Sequence, residues 1–343
     1  MKKRKFLSIA GASAIALSSV FVSAQTAAAD DPTDLNIAII LSAGIESPWD
    51  GTLIDSLERV KAEKPHGLDM NWQYTDPLWG DDAGEAMRLF AESGEFDVIW
   101  AHSTYSDQVK KLKDEFPDIL FVVVGSGNEG LGGNQYWVYK RIHEASYVLG
   151  VMAGKLTESN TLGVVGTFPA DDVNDEINSF FAGARSVNEN IVQKVAFIES
   201  WYDPGKAAEM TSAQISTGAD IIFSLAANFK PCEEAEILCF ANFGDQHSYS
   251  PETIVSSALA FWDPDVNWII DEWWDKQVNG EPYDGNTDII WRGMADGGAG
   301  IAPYQALADK VPDDVKALVD ATIAEIKSGS LVVDVNVKNP VSN

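Results

Sequence analysis

The stretch 35-LNIAIILSAGIESPWDGTL-53 carries the pattern that decides the fold. Its first seven residues are almost all apolar, which predicts a strand buried on both faces of a parallel sheet. Ser47 suits a helix N-cap and Pro48 suits the first helical position, so a helix begins just past the carboxyl end of this strand. Open α/β sheets bind ligands at that edge. Trp49 and Asp50 therefore either cover the core and favour the helix dipole, or contact a ligand.

The N-terminus, residues 1–29, has the features of a cleavable secretory signal. Basic residues precede an apolar stretch, and small residues allow cleavage after Ala24 or Ala29. No cysteine follows either site, which argues against a lipid anchor. No other segment approaches 18 consecutive apolar residues. We therefore expect a soluble protein exported to the periplasm.

The charge and length of the chain limit its function and its domain count. The formal net charge of −28 repels nucleic acid and anionic lipid, so we expect no nucleic-acid partner. The 343 residues are enough for two domains of about 150 residues each.

Strand and helix signals alternate along the chain, then restart after about residue 138. This is typical of βαβ units around parallel sheets and predicts an α/β protein of two doubly wound, Rossmann-like lobes joined by a multi-strand hinge. The ligand then lies in the cleft between the lobes, where both sheets direct their strand ends. We assign residues 30–138 plus 256–290 to the N-terminal lobe and residues 139–255 plus 291–343 to the C-terminal lobe.

Motifs for catalysis, cofactors or metals are scarce. The stretch 125-GSGNEG-130 matches a dinucleotide-binding pattern, but a loop and a strand follow it where that site needs a helix. The histidines lack metal-binding spacings, and Cys232 and Cys239 alone make a poor zinc site. In an exported chain these two cysteines could form a disulfide, a question that the sequence leaves open. We expect no cofactor, no metal and no enzymatic activity.

Tryptophan is the informative residue type, because several of the eleven lie where strands end or helices begin, beside polar residues. Flat aromatic faces with a few directional polar groups suit a planar heterocycle or a sugar ring. The predicted ligand-binding residues are Trp49, Asp50, Trp100, His102, Ser103, Trp201, Asn228, Asn242, Asp245 and Trp262. Which of Trp100 and Trp262 face the cleft stays open.

Three blocks are distinctive: 178-NSFFAGARSVNE-189, 199-ESWYDPGKAAEMTSAQISTGADIIF-223 and 243-FGDQHSYSPETIVSS-257. They resemble the basic membrane protein family of solute-binding proteins of ABC importers, many of which are purine-nucleoside receptors. The resemblance implies the type I periplasmic-binding fold. It also implies that Trp49 stacks on a base, that Asp50 accepts a hydrogen bond from it, and that Trp201 closes its other face.

The departures from the family pattern bear on the ligand. Nucleoside-binding members carry an Asp two residues before the Asp-Gln pair, where it holds the ribose hydroxyls. Here Phe243 takes that position, while Asp245 and Gln246 keep the pair. A buried ribose hydroxyl without a partner costs about 1–3 kcal/mol, so the resemblance implies a free purine nucleobase.

The resemblance also implies partners, namely an ABC permease and its ATPase, and a monomeric receptor. Three alternatives stay open: a purine-nucleoside receptor, a receptor that reports to a membrane sensor, and an exported nucleoside or glycoside hydrolase. The hydrolase is disfavoured because the sequence shows no activated nucleophile or metal set.

Overall fold

The computed structural model of the protein describes residues 31–343, and the predicted signal peptide lies outside them. The strands are β1 Asp34–Ile40, β2 Asp69–Tyr74, β3 Val98–Ala101, β4 Leu120–Val124, β5 Gln135–Lys140, β6 Thr161–Gly166, β7 Val192–Phe197, β8 Ile221–Ser224, β9 Leu238–Phe243, β10 Ile254–Ala260, β11 Ile290–Arg292 and β12 Ala299–Ile301. The helices are α1 Pro48–Glu63, α2 Gly80–Ser93, α3 Ser106–Lys110, α4 Ile142–Leu156, α5 Asp171–Val187, α6 Pro204–Ser216, α7 Lys230–Ala235, α8 Asp263–Trp274 and α9 Asp313–Ser328.

The strands form two six-stranded sheets, one in each lobe. The first has the order β11-β5-β4-β3-β1-β2 and is parallel throughout. The second has the order β12-β10-β9-β8-β6-β7 and is parallel except for the pairing of β12 with β10. The predicted α/β class with two doubly wound lobes is confirmed.

Strand β1 shows why the opening apolar run is continuous. Leu35, Ile37 and Ile39 pack into the core cluster that α1 and α8 cover, whereas Ala38 and Ile40 pack into the cluster on the α2 side of the sheet. A strand covered on both faces needs apolar residues at consecutive positions. Since α1 then begins at Pro48 with Ser47 as N-cap, the β1–α1 turn lies at the carboxyl edge of the sheet.

The chain crosses between the lobes three times, after β5, after β10 and after β11. Residues 254–260 pair within the second sheet, whereas the sequence-based division gave residues 256–290 to the first lobe. The pairing therefore moves that crossing to the residues after Ala260. Strands β5 and β11 likewise extend the first sheet to Lys140 and Arg292, two residues beyond the predicted boundaries.

A buried ion cluster ties the three crossings together. Asp265, at the start of α8, forms ion pairs with Lys140 at the end of β5 and with Arg292 at the end of β11. The Asp265 and Lys140 side chains are both fully buried. Because each charge lies beside a different crossing, the cluster fixes the three segments of the hinge relative to one another.

Helix α5 is held in the second lobe by a close approach to α4. A Cβ atom added at Gly150 would collide with the Phe180 carbonyl oxygen, and one added at Gly183 would collide with the Tyr147 carbonyl oxygen. The two glycines therefore let the helix backbones touch. This packing fixes the direction in which the first two turns of α5 face the inter-lobe cleft.

Candidate functional site

A cavity of about 310 Å³ lies between the two lobes, at the carboxyl ends of strands from both sheets. This volume is at the small end of ligand pockets, which span about 300–1,000 Å³, and it suits a small molecule. The first lobe contributes Ser42, Ala43, Ser47, Pro48, Trp49, Ser103, Thr104, Val124, Gly125, Ser126, Gly127 and Tyr139. The second contributes Thr167, Ala170, Asp171, Asp172, Val173, Glu176, Trp201, Tyr202, Leu225, Ala227 and Phe243.

Trp49 stands at the centre of an aromatic group at the mouth of α1. Its ring stacks on His102 with centroids 4.8 Å apart and meets the edges of Trp262 and Phe243 at 5.3 and 5.1 Å. Its indole N–H also donates to the His102 carbonyl oxygen at 3.0 Å. The side chain is therefore held in one orientation, with part of the ring exposed to the cavity.

His102 lies behind Trp49 as a fixed neutral support. Its Nδ1 accepts a hydrogen bond from the Trp100 indole at 3.1 Å, so its Nε2 carries the proton and donates to the Trp49 carbonyl oxygen at 3.2 Å. Complete burial lowers the pKa of His102 to about 3. The imidazole is uncharged at neutral pH and orients Trp49 without lining the cavity.

Asp50 folds the β1–α1 turn and does not line the cavity. Its fully buried carboxyl accepts hydrogen bonds from the backbone N–H groups of Ala43 at 2.6 Å, Gly44 at 2.8 Å and Ser42 at 3.4 Å. Burial raises its pKa to about 6, although these backbone donors act in the opposite direction. With both oxygens used in this way, the predicted role of Asp50 as acceptor for a ligand is replaced by a role in shaping the turn that presents Trp49.

The glycine-rich loop after β4 forms one wall of the cavity. Gly125 and Gly127 have φ angles of +87° and +77°, which residues with a side chain rarely adopt. Asn128 fixes the loop by donating to the Val124 carbonyl at 3.0 Å and accepting from the Tyr105 N–H at 3.0 Å. The next element along the chain is strand β5, so the loop does not lead into a helix as the loop of a dinucleotide site does.

Two acidic side chains on successive turns of α5, Asp172 and Glu176, face the cavity. Burial raises the pKa of Asp172, while the hydrogen bond from the Val173 N–H at 2.9 Å and the nearby Ser126 and Tyr139 hydroxyls lower it. Ser126 and Tyr139 belong to the first lobe, so Asp172 faces polar groups of the other lobe across the cavity. None of the described residues that line the cavity is Lys, Arg or His.

Of the predicted ligand-binding residues, Trp49, Ser103 and Trp201 line the cavity. Trp201 is 39% exposed and packs edge-on against Phe168 at 5.0 Å. Trp100 and Trp262 are buried and belong to the core of the first lobe behind Trp49. Their rings support the cavity wall from behind without reaching the cavity surface.

The three remaining polar candidates serve local structure instead. The Asn228 amide donates to the Pro204 carbonyl oxygen at 2.8 Å. The buried Asn242 amide donates to the Glu176 carboxyl at 2.8 Å. Asp245 accepts a hydrogen bond from Gln305 at 2.6 Å outside the cavity. Their side chains are committed to these partners, so the structure does not bring them together at the cavity.

Sequence reasoning missed Tyr139, Asp172, Glu176 and Tyr202 and assigned Phe243 only as a replacement for an acid. The sequence itself carries one signal for the acidic pair. Asp172 and Glu176 are four residues apart, which places them on one helix face, and the intervening Val173 is buried. An acid on the buried face of a helix indicates a polar interior site.

Within residues 31–343, no group of three or more His, Cys, Asp or Glu side chains is arranged to hold a metal ion. No helix in the same range is long and apolar enough to cross a membrane. Cys232 and Cys239 form a disulfide that connects α7 to β9.

Comparison with known proteins identifies the family of this chain. Residues 35–330 match the family model of PnrA-like ABC transporter substrate-binding proteins. The chain belongs to this family. The resemblance seen in the sequence is therefore confirmed, and with it the role of a substrate-binding protein of ABC transport.

Individual relatives of this PnrA-like protein differ in what they are named for. It is 31% identical to a purine-binding protein of Brucella abortus, over 74% of this chain and 69% of that one. It is 26% identical to a putative ABC transporter glucose-binding protein of Haloferax volcanii, over 76% of this chain and 64% of that one. A solved ABC transporter solute-binding protein from Conexibacter woesei has the same fold, with a TM-score of 0.70 and 19% identity over 88% of this chain and 99% of that one.

Proposed function

We propose that this PnrA-like protein is the binding component of an ABC importer and that it captures a purine nucleobase between its lobes. The observation that carries the proposal is the cavity itself, which has tryptophan rings from both lobes and no cationic side chain among its described lining residues. The relative named as a purine-binding protein supports the same ligand class.

The aromatic residues favour a flat ligand. Trp49 comes from the first lobe and Trp201 from the second, so a ring bound between them holds the lobes together. Aromatic stacking on a base contributes about 1–3 kcal/mol per base in nucleic-acid binders. Closing the cleft over such a ligand therefore adds a second stacked face, which links binding to the closed form.

The charges of the cavity favour a neutral or cationic ligand. Its only ionisable carboxyls are Asp171, Asp172 and Glu176, and a phosphate group would face these acids with no Lys or Arg among the described lining residues. Nucleotides are disfavoured for this reason.

Phe243 favours a free base over a nucleoside. Its ring packs edge-on against Trp49, and its backbone has a φ angle of +65°, an uncommon conformation for a bulky residue. Backbone strain of this kind is typical of ligand-binding sites. A ribose placed here would meet an apolar ring in place of a hydroxyl-binding acid, which costs about 1–3 kcal/mol per unpaired hydroxyl.

The remaining assignments belong to the same proposal. The mature chain is a periplasmic monomer exported by residues 1–29, and its closed form docks on a permease that works with an ATPase. It does not turn over its ligand. A sugar is the second candidate, because one relative is named as a putative glucose-binding protein and tryptophan faces also stack on sugar rings.

Calorimetric titration of the purified chain tests the proposal. We expect adenine or another purine base to bind with 1:1 stoichiometry, adenosine to bind at least about tenfold more weakly, and adenosine monophosphate and glucose to give no heat. Tight binding of glucose with no binding of bases would contradict the proposal. Release of free base from adenosine during the titration would support the hydrolase instead.

A further inference from the structure

Glu176 is the most deeply buried ionisable group on the cavity wall. It is 1% exposed and lies one helical turn after Asp172 on α5. One carboxyl oxygen, Oε2, accepts a hydrogen bond from the Asn242 amide of β9 at 2.8 Å. The other, Oε1, is buried and has no hydrogen-bond partner among the described residues. A buried acid with one unused oxygen beside a ligand cavity is available to the ligand.

The charges around Glu176 disfavour the ionised form of its own carboxyl group. The ionisable groups that act on it are Asp172 and Asp175 of its own helix, and both are acids. Burial raises the pKa of Asp175 to about 6 and also raises the pKa of Asp172, so both are negative toward the upper end of the pH range. Tyr139 of β5 faces it as an uncharged phenol. His143 of α4 lies 3.0 Å from Asp175, where burial keeps the imidazole neutral by lowering its pKa to about 4. Burial and the two neighbouring acids together hold the pKa of Glu176 well above its usual range.

The hydrogen bond from Asn242 favours one position of the proton. The carbonyl oxygen of a neutral carboxylic acid is a better acceptor than its hydroxyl oxygen, so the Asn242 N–H favours Oε2 as the carbonyl oxygen and Oε1 as the protonated oxygen. Oε1–H is thus an unused donor on a side chain that lines the cavity. One turn earlier, Asp172 supplies an acceptor oxygen on the same helix face.

We propose that Glu176 is a neutral carboxylic acid that recognises the ligand: its Oε1–H donates a hydrogen bond to an unprotonated ring nitrogen, while Asp172 accepts a hydrogen bond from a neighbouring N–H of the ligand. This inference rests on the proposed function and names the edge of the base that the site selects. Adenine satisfies this pattern when its exocyclic 6-amino group is the neighbouring N–H and N1 or N7 is the ring nitrogen. A 6-oxopurine presents an acceptor where the amine would be and leaves the Asp172 oxygen unpaired.

The test compares adenine with hypoxanthine and the wild type with Glu176→Gln, by calorimetry from pH 5.5 to 9. Glutamine presents an N–H donor and a carbonyl acceptor at every pH, and it therefore copies the neutral acid. We expect wild-type protein to bind adenine at least about tenfold tighter than hypoxanthine, as paired hydrogen bonds to a base edge allow. We expect E176Q to bind adenine within about threefold of wild type at pH 5.5.

The pH dependence of the affinity for adenine tests whether Glu176 must be protonated for binding. Because binding needs the proton on Glu176, wild-type affinity for adenine should fall as pH rises through the pKa of this group, by up to about tenfold per unit. The E176Q profile should lack this fall, so dividing one profile by the other removes any ionisation of adenine itself. Glu209→Gln, the same substitution at an exposed position of α6, should follow the wild-type profile.

Three results would overturn the inference while leaving the proposed function intact. These are equal affinities for adenine and hypoxanthine, a loss of more than about thirtyfold in folded E176Q, or a pH profile that E176Q shares with wild type. The first needs no variant, and circular dichroism verifies folding for the others. Failure of wild-type protein to bind any base would instead overturn the proposed function and the inference together.

Discussion

Replacing Trp201 by alanine removes one proposed stacking face with little damage to the fold. The side chain is 39% exposed, and its one aromatic neighbour within the described residues is Phe168, 5.0 Å away and edge-on. Such a pair contributes about 0.5–1.5 kcal/mol to stability. Loss of stacking on a base costs about 1–3 kcal/mol, so the Kd for adenine should rise by about 5- to 150-fold.

Calorimetry of W201A at 25 °C measures this loss, and thermal unfolding verifies that the variant is folded. The matched control is Trp72→Ala, which removes a partly exposed tryptophan on β2 outside the cavity and should leave the Kd unchanged. A folded W201A protein that binds adenine within twofold of wild type would refute the stacking role of Trp201.

Three further changes test the framework of the site by unfolding measurements. Asp265→Ala leaves the buried Lys140 without its ion partner and should lower the free energy of unfolding by about 3–5 kcal/mol, whereas a loss under 1 kcal/mol would contradict a structural hinge cluster. Gly150→Ala places a Cβ atom against the Phe180 carbonyl oxygen and should destabilise the α4–α5 pair by about 1–3 kcal/mol in urea unfolding, while an unchanged midpoint would contradict the close packing. For Asp50 the folded pKa of about 6 exceeds the ordinary value of 3.8, so its contribution to stability is full below pH 3.8 and is lost as pH rises through 6. The stability advantage of wild type over Asp50→Asn should shrink by about 2 kcal/mol from pH 4 to 7. An advantage that grows over this range would contradict the raised pKa.

The architecture was predictable because it depends on local periodicity. Apolar runs such as the one in β1 and the cap signals at Ser47 and Pro48 are contained in a few consecutive residues, and their alternation specifies parallel sheets. The lobe boundary near residue 256 was harder to predict from the sequence, since β10 has the same apolar character whichever sheet it joins. Strand partners decide that question, and they lie far away in sequence.

The site was only partly predictable, because side-chain direction depends on tertiary packing. Trp49 and Trp262 both follow strands and both have polar neighbours, yet one lines the cavity and the other lies behind it. Asp50 and Glu176 are both buried acids, but the first is saturated by backbone N–H groups and the second keeps one oxygen unpaired. This difference follows from three-dimensional contacts that no spacing in the sequence encodes.

Identification of the bound small molecule tests the central claim most directly. The full-length protein, exported from a host grown on rich medium, is purified without dialysis against ligands and denatured, and the released compounds are identified by mass spectrometry. The account predicts a purine base, with adenine favoured, at close to one equivalent per chain. Recovery of a hexose or a phosphorylated compound at that stoichiometry would contradict it.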